Sequence, residues 1–316
     1  MTGQDRIDDR AGSLQVGYFS GEAQVKKLIL SCALLFIAQL AWALAPYVQA
    51  GKLSEPDLPA RLGALEAKLQ AQGFKVVGRH QPKGIPGQAT LVVTDPAILD
   101  AIRAIGGSAV VASGIRVAIL KDGSVSYMNP EYWYRAYLRD QYKAAEPAVK
   151  AAQGRLVKAL GEGQPFGGDV PEGALANYRY MFGMERFDAL NSELGAHATF
   201  EDAVKAIQNG LAKGTGQTSR VYELVMPEQK IAVFGVAMND PDNGEGWWVN
   251  KIGADHMAGL PYELFVVGNK VYALYARYRI ALAWPSLGMG QFMGIVNAPE
   301  NIRSTLTQVS GVSAAK

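Results

Sequence analysis

Apolar positions along the chain fall into short blocks whose period changes from block to block. Leu58, Leu62, Leu65 and Leu69 recur at the spacing of one helix face, and Gly73 behind them supplies a left-handed stop. The spacing predicts a helix there. Residues 74–79 and 89–94 read as strands, and Asp95-Pro96 opens a helix carrying Ile98, Ile102 and Ile105 that Gly106-Gly107 ends. Runs over 115–120 and 124–128 meet at Asp122-Gly123, a strong hairpin signal. A long helical stretch over 130–160 closes the unit, with a break expected before Pro147.

The segment 161–173 is rich in glycine and proline and has no apolar period, so it reads as a linker. The same order of elements then recurs. Thr199 and Asp202 make a capping pair ahead of Val204, Ile207 and Leu211, and residues 220–226 and 230–236 read as strands. Asp240-Pro241 repeats Asp95-Pro96 and follows Pro227 at the separation at which Asp95 follows Pro82. Residues 262–267 and 270–280 form a second hairpin about Gly268-Asn269, and a helix with Ile295, Ile302 and Leu306 follows. The expectation is an α+β fold of two related domains, 51–160 and 174–316, each a small antiparallel or mixed sheet covered by helices on one face.

Ahead of the first domain, Lys26 and Lys27 precede an apolar run over 28–48 whose clearly polar side chains are Ser31 and Gln39. Val48-Gln49-Ala50 follows as a small-residue triplet, so residues 1–50 read as an extension and a secretory signal cleaved before Gly51. The competing reading is an uncleaved anchor, because the run approaches the roughly 20 residues that span a bilayer. Either way the expected destination is the periplasm, free or membrane-anchored, and the membrane is met only through an uncleaved leader. Residues 1–24 carry Asp5, Asp8 and Asp9 and do not resemble a charged n-region, which points to translation starting at Val25. The single cysteine, Cys32, lies inside the leader, so the mature chain is expected to be free of thiols and disulfides.

Length and composition agree with this picture. At 316 residues the chain has room for two cores, and 49% hydrophobic with 19% charged residues excludes wholesale disorder. The net charge of +2 arises from interspersed basic and acidic side chains, which excludes nucleic acid as an expected partner.

The stretch G-I-R-V-A-I-L-K-D-G-S-V-S-Y-M-N-P, Gly114 to Pro130, resembles the hairpin of a bacterial and archaeal family known only as domain of unknown function 302. L-P-Y-E-L-F-V-V-G-N-K-V-Y-A-L, Leu260 to Leu274, is similar to the same hairpin. The resemblance implies a small α+β domain present twice after Pro56. Some relatives carry a cysteine at the start of this hairpin, where Ile115 and Tyr262 stand here, so the resemblance implies no thiol chemistry.

Candidate chemistry is sparse. The three histidines show no pair at metal-ligand spacing, so no metal site is expected. The plain reading makes them surface or capping residues. The sharper one has His80, His256 or the neighbouring Met257 ligating a haem iron without covalent attachment, since C-x-x-C-H is absent. Aromatic residues interleaved with arginines form a second group: Tyr134 with Arg135, then Trp247, Trp248, Tyr275 and Arg277. Read on a strand, Tyr275, Arg277 and Arg279 share a face. They suit core packing, or a stacking surface for a flat or apolar ligand whose carboxylates the arginines would hold. Residues 282–296, with Met289, Met293, Gly290 and Gly294, read as a buried or interface helix. No nucleophile elbow, dinucleotide fingerprint or phosphate loop is present, so no catalytic residue is expected and a hydrolase or transferase is held only in reserve. The sequence points to an exported periplasmic, non-catalytic binding or accessory protein, acting on a protein partner, a second copy or a small apolar ligand. The alternative is a protein binding haem or another redox cofactor, linked to sulfur or redox metabolism.

Overall fold

The computed structural model describes residues 43–312, and the expected leader as far as Trp42, including Val25 and Cys32, lies outside them. The first half runs β1 (Ala43–Leu44), β2 (Tyr47–Lys52), α1 (Leu58–Ala71), β3 (Lys75–His80), β4 (Ala89–Thr94), α2 (Pro96–Ile105), a 3-10 turn at Gly107–Ala112, β5 (Ile115–Ile119), β6 (Ser124–Met128), α3 (Pro130–Leu138) and α4 (Tyr142–Leu160). Two short strands follow, β7 (Gln164–Phe166) and β8 (Val170–Pro171). The second half runs β9 (Glu193–Ala196), α5 (Phe200–Ala212), β10 (Thr218–Met226), β11 (Ile231–Met238), α6 (Glu245–Ile252), a 3-10 turn at Ala254–Gly259, β12 (Tyr262–Val267), β13 (Lys270–Tyr272), α7 (Ala276–Ala283), α8 (Met289–Met293) and α9 (Ala298–Ser310).

Two separate antiparallel sheets carry the fold, ordered β3-β4-β5-β6-β2-β7 and β10-β11-β12-β13-β9. The α+β class is therefore as expected. In both halves the strand that precedes the first helix returns to pair beside the hairpin, so β2 corresponds to β9 and the order β3-β4-β5-β6-β2 matches β10-β11-β12-β13-β9, with β7 added at the edge of the first sheet alone. Local chemistry explains the helix starts: the side chains of Asp57, Asp95 and Thr199 each accept an early backbone N–H of the helix that follows. β4, β5 and β11 are buried along their whole length because each sheet has helices on one face and the other half of the molecule on the other. Among the described residues no helix is long and apolar enough to cross a membrane.

The halves meet with the reciprocity of a two-fold axis. The turn Ala254–Gly259 packs on β4, β5 and β6, while the turn Gly107–Ala112 packs on β11 and β12. Tyr132, third in α3, donates its hydroxyl to the carbonyl of Leu282, seventh in α7, at 2.9 Å. Tyr278, third in α7, donates to Ala136, seventh in α3, at 3.4 Å. Between them lies a buried ionic cluster. Arg116, second in β5, pairs with Glu263, second in β12, and Arg279 Nε reaches the other carboxylate oxygen at 3.3 Å. The Trp133 ring lies between the guanidiniums, whose carbons are 4.7 Å and 4.9 Å from its centroid.

Several expected boundaries move. The break after Ala50 falls inside β2, a strand paired to β6 on one side and β7 on the other with Tyr47 fully buried, so residues 43–50 belong to the fold. Residues 164–166 and 170–171 are strands rather than free linker, since they supply the edge partners of β2 and β1. The long helix breaks at Arg139, not before Pro147; Arg139 takes φ 50° while ion-paired to Asp188 at 2.7 Å. Pro147 lies early inside α4. The second hairpin strand ends at Tyr272, because Ala273 and Tyr275 turn their N–H groups to Ser192. Arg277 and Arg279 consequently sit on a helix that is buried nearly all round, whose lack of a polar stripe made it read as a strand. Residues 282–296 are not one buried helix: Met289 and Met293, on the short α8, are 49% and 59% exposed.

The ionic cluster gives a stability prediction. Glu263→Gln leaves two guanidiniums buried without their carboxylate and is expected to cost about 3–5 kcal/mol in urea unfolding. The triple change Arg116→Met, Glu263→Leu, Arg279→Met removes every charge at similar volume and is expected to be the more stable of the two variants.

Candidate functional site

A hollow of about 990 Å³, open to solvent, draws its walls from both halves: Lys83 and Gly84 from the β3–β4 loop, Gln217 and Asn239 from the ends of β10 and β11, and Trp247, Asn250 and Lys251 from α6. The seam beneath it is tight. A side chain at Gly246 would bring its Cβ within 2.1 Å of the Lys83 carbonyl, so only glycine lets α6 approach the loop. Asn250 Nδ2 donates to the carbonyls of Gly84 at 2.9 Å and Gly246 at 2.7 Å. Behind the seam His80 Nε2 lies 2.7 Å from Glu245 Oε2, both almost completely buried, which fastens the end of β3 to the start of α6.

Adjacent tryptophans divide between surface and core. Trp247 is half-buried and faces Lys251, whose ammonium lies 3.8 Å from the ring centroid and also donates to the Gly294 carbonyl at 3.2 Å. Trp248 turns inward and meets Trp284 edge to face at 5.5 Å. The hollow therefore presents an aromatic face, two lysines and three amide side chains on a fixed seam. Such a set offers stacking and hydrogen-bonding groups; among the described residues lining it, none pairs a nucleophile with a base.

A second, much smaller hollow is apolar, lined by Tyr180, Met184, Leu287, Met289 and Phe292 with Arg277 among them. Arg277 is ion-paired to Glu185 at 2.6 Å, and its guanidinium carbon lies 5.3 Å from the Tyr275 ring.

The remaining expected site residues are dispersed in the interior. Tyr134 is fully buried, and burial pushes its phenol well above the ordinary value. Arg135 is ion-paired to Glu172 at 2.7 Å and stacks over Tyr142 at 4.3 Å. Met257 is completely buried, and its carbonyl accepts from Thr90 Oγ1 at 2.9 Å. His256 is wedged among Tyr47, Phe166 and Trp284, with centroids 5.0, 5.7 and 5.4 Å away. His80, His256 and Met257 line neither hollow, and the His80 ring nitrogen is taken by Glu245, so they do not fit axial ligands of a haem. Among the described residues no group of three His, Cys, Asp or Glu is arranged to hold a metal ion.

Of the expected aromatic set, the structure thus leaves Trp247 at one hollow and Arg277 at another. Lys83, Gln217, Asn239, Asn250 and Lys251 carried no motif. The one available signal was Trp247 and Lys251 four residues apart, which places them on one helix face. No protein-family model matches the chain, and no curated protein matches it.

His256 makes the fold sensitive to acid. Burial lowers its pKa, against the opposing pull of the Asp255 carboxylate and a backbone hydrogen bond at Ala283. In the unfolded chain the ring titrates near 6.5, so on acidification the unfolded state takes up its proton first. This contribution to stability is full above about pH 6.5, falls as pH drops through that value, and levels off below the folded pKa. His256→Phe is expected to flatten stability between about pH 7 and 5.5, as measured by urea unfolding at each pH.

Proposed function

We propose that this chain is an exported, non-catalytic binding protein of the periplasm, and that the hollow between its halves takes a small ligand combining a flat face with negative charge. The observation that carries the reading is Trp247: an aromatic face at the junction of the halves, with Lys251 against it and Lys83 across the seam. The amides of Gln217, Asn239 and Asn250 add polar groups around the rim. Export rests on Lys26-Lys27 and the apolar run behind them. The likeness of both hairpins to domain of unknown function 302 belongs to the same proposal and supplies a common origin for the halves, without chemistry of its own.

A flat sulfonated fluorophore, 8-anilinonaphthalene-1-sulfonate, is a direct probe. It is expected to bind with an affinity that falls with salt and that Trp247→Ala weakens by about tenfold, the equivalent of about 1.4 kcal/mol. Binding that Trp247→Ala leaves intact and Met184→Gln with Met289→Gln abolishes would move the site to the apolar hollow and overturn this assignment. Osmotic shock of cells producing the full chain is expected to release it, and recovery of the uncut chain from the cytosol would overturn export.

A further inference from the structure

Given export, we infer that a leader peptidase cuts this chain between Ala43 and Leu44, seven residues before the position that composition suggests. The inference rests on the export reading and on how firmly residues 45–52 are held.

The Ala45 carbonyl accepts Asn129 Nδ2 at 2.9 Å. The Pro46 carbonyl accepts both the Trp133 indole N–H and the Asn129 backbone N–H, each at 2.8 Å. Tyr47 is fully buried and packs against Trp133 with centroids 6.1 Å apart, and Tyr47 to Gln49 pair with β6 and β7 at once. A cut after Ala50 would take all of these groups away. It would open the first sheet between β6 and β7 and leave the buried Trp133 indole and Asn129 amide without partners. Trp133 is the ring between Arg116 and Arg279, so the damage would reach the seam of the molecule.

Leader peptidases recognise small residues one and three positions before the cut. Between Gln39 and Pro46, two registers satisfy that rule: Ala41-Trp42-Ala43 and Ala43-Leu44-Ala45. The second would cut a tertiary amide at Pro46, whose ring fixes the backbone and removes the N–H, and would discard the carbonyl that Asn129 uses. The first discards little. Ala43 is exposed, and its pairing is with Pro171 in the two-residue ladder of β1 and β8, where Leu44 and Val170 stay behind. The reaction is hydrolysis: water adds to the Ala43 carbonyl, the C–N bond to Leu44 breaks, Ala43 leaves as a carboxylate, and Leu44 gains a protonated amine.

The full chain, produced in an exporting bacterium and recovered by osmotic shock, is read by intact mass and N-terminal sequencing. Leu44 is the expected first residue, and Ala43→Leu is expected to prevent the cut and leave a membrane-held precursor. An exported protein that begins at Pro46 or Gly51, or that is exported uncut, overturns the cut while leaving export standing. An uncut chain confined to the cytosol removes the export reading and this inference with it.

Discussion

The Glu263 carboxylate holds the molecule together at its centre. It lies between Arg116 from the first half and Arg279 from the second, and both guanidiniums reach on to carbonyls of the turn Ala254–Gly259: Arg116 Nε to Ala258 at 2.9 Å and Arg279 Nη2 to Gly259 at 2.7 Å. Burial alone would lower the pKa of Arg279; the Glu263 carboxylate together with the phenols of Tyr137, Tyr262 and Tyr47 outweighs it, and the guanidinium is held above its ordinary value. An ion cluster so placed adds little net stability over an apolar one, because desolvation consumes most of the attraction. Its consequence is register. A slip of either half would strand a charge, and the turn it fixes is the one that seats His256 among its rings and offers the Met257 carbonyl to Thr90.

The same cluster says something about duplication. In a symmetric pair of identical halves, residues at equivalent positions face their own copies, so an arginine beside the axis would meet an arginine. Here equivalent strands carry Arg116 and Glu263, and equivalent helices carry Trp133 and Arg279 at their fourth positions. Covalent linkage of the halves lets the two sides differ, and the difference makes the pairing attractive. The divergence extends to the surface. Counted from each helix start, the third residue is Ile98 in α2, fully buried, and Trp247 in α6, half-buried at the hollow. The hollow with an aromatic face is thus a property of one side of a nearly symmetric body.

Elements with a clean period were legible in the sequence. α1, β4, α2, the β5–β6 hairpin and the capped α5 stand where the spacing of apolar residues and the capping side chains put them. The repeated order of elements was legible too, apart from the strand that opens each half. Failures came where burial is complete. α7 is buried at Ala276 and from Tyr278 to Ala283, so it has no polar stripe to reveal a helical period, and Arg279 is neutralised inside rather than solvated outside. The candidate site was mostly illegible for another reason. Lys83, Asn250 and Gln217 are ordinary surface residues in sequence, and only the close approach permitted by Gly246 gathers them.

β2 shows where composition stops being informative. Its apolar residues continue the apolar run that begins at Leu28 without a change of character, because burial in a sheet and insertion into a bilayer both reward removal of apolar surface from water, at about 25 cal/mol per Å² in the first case. Hydropathy cannot separate the two environments. Hydrogen bonding can, since a sheet strand needs partners outside itself while a membrane helix satisfies its backbone internally. Tyr47 to Gln49 find theirs in Ser126 to Met128 and in Gln164 to Phe166. The start of the folded body is therefore set by sequence positions far from it, and the boundary becomes readable only when the whole sheet is assembled.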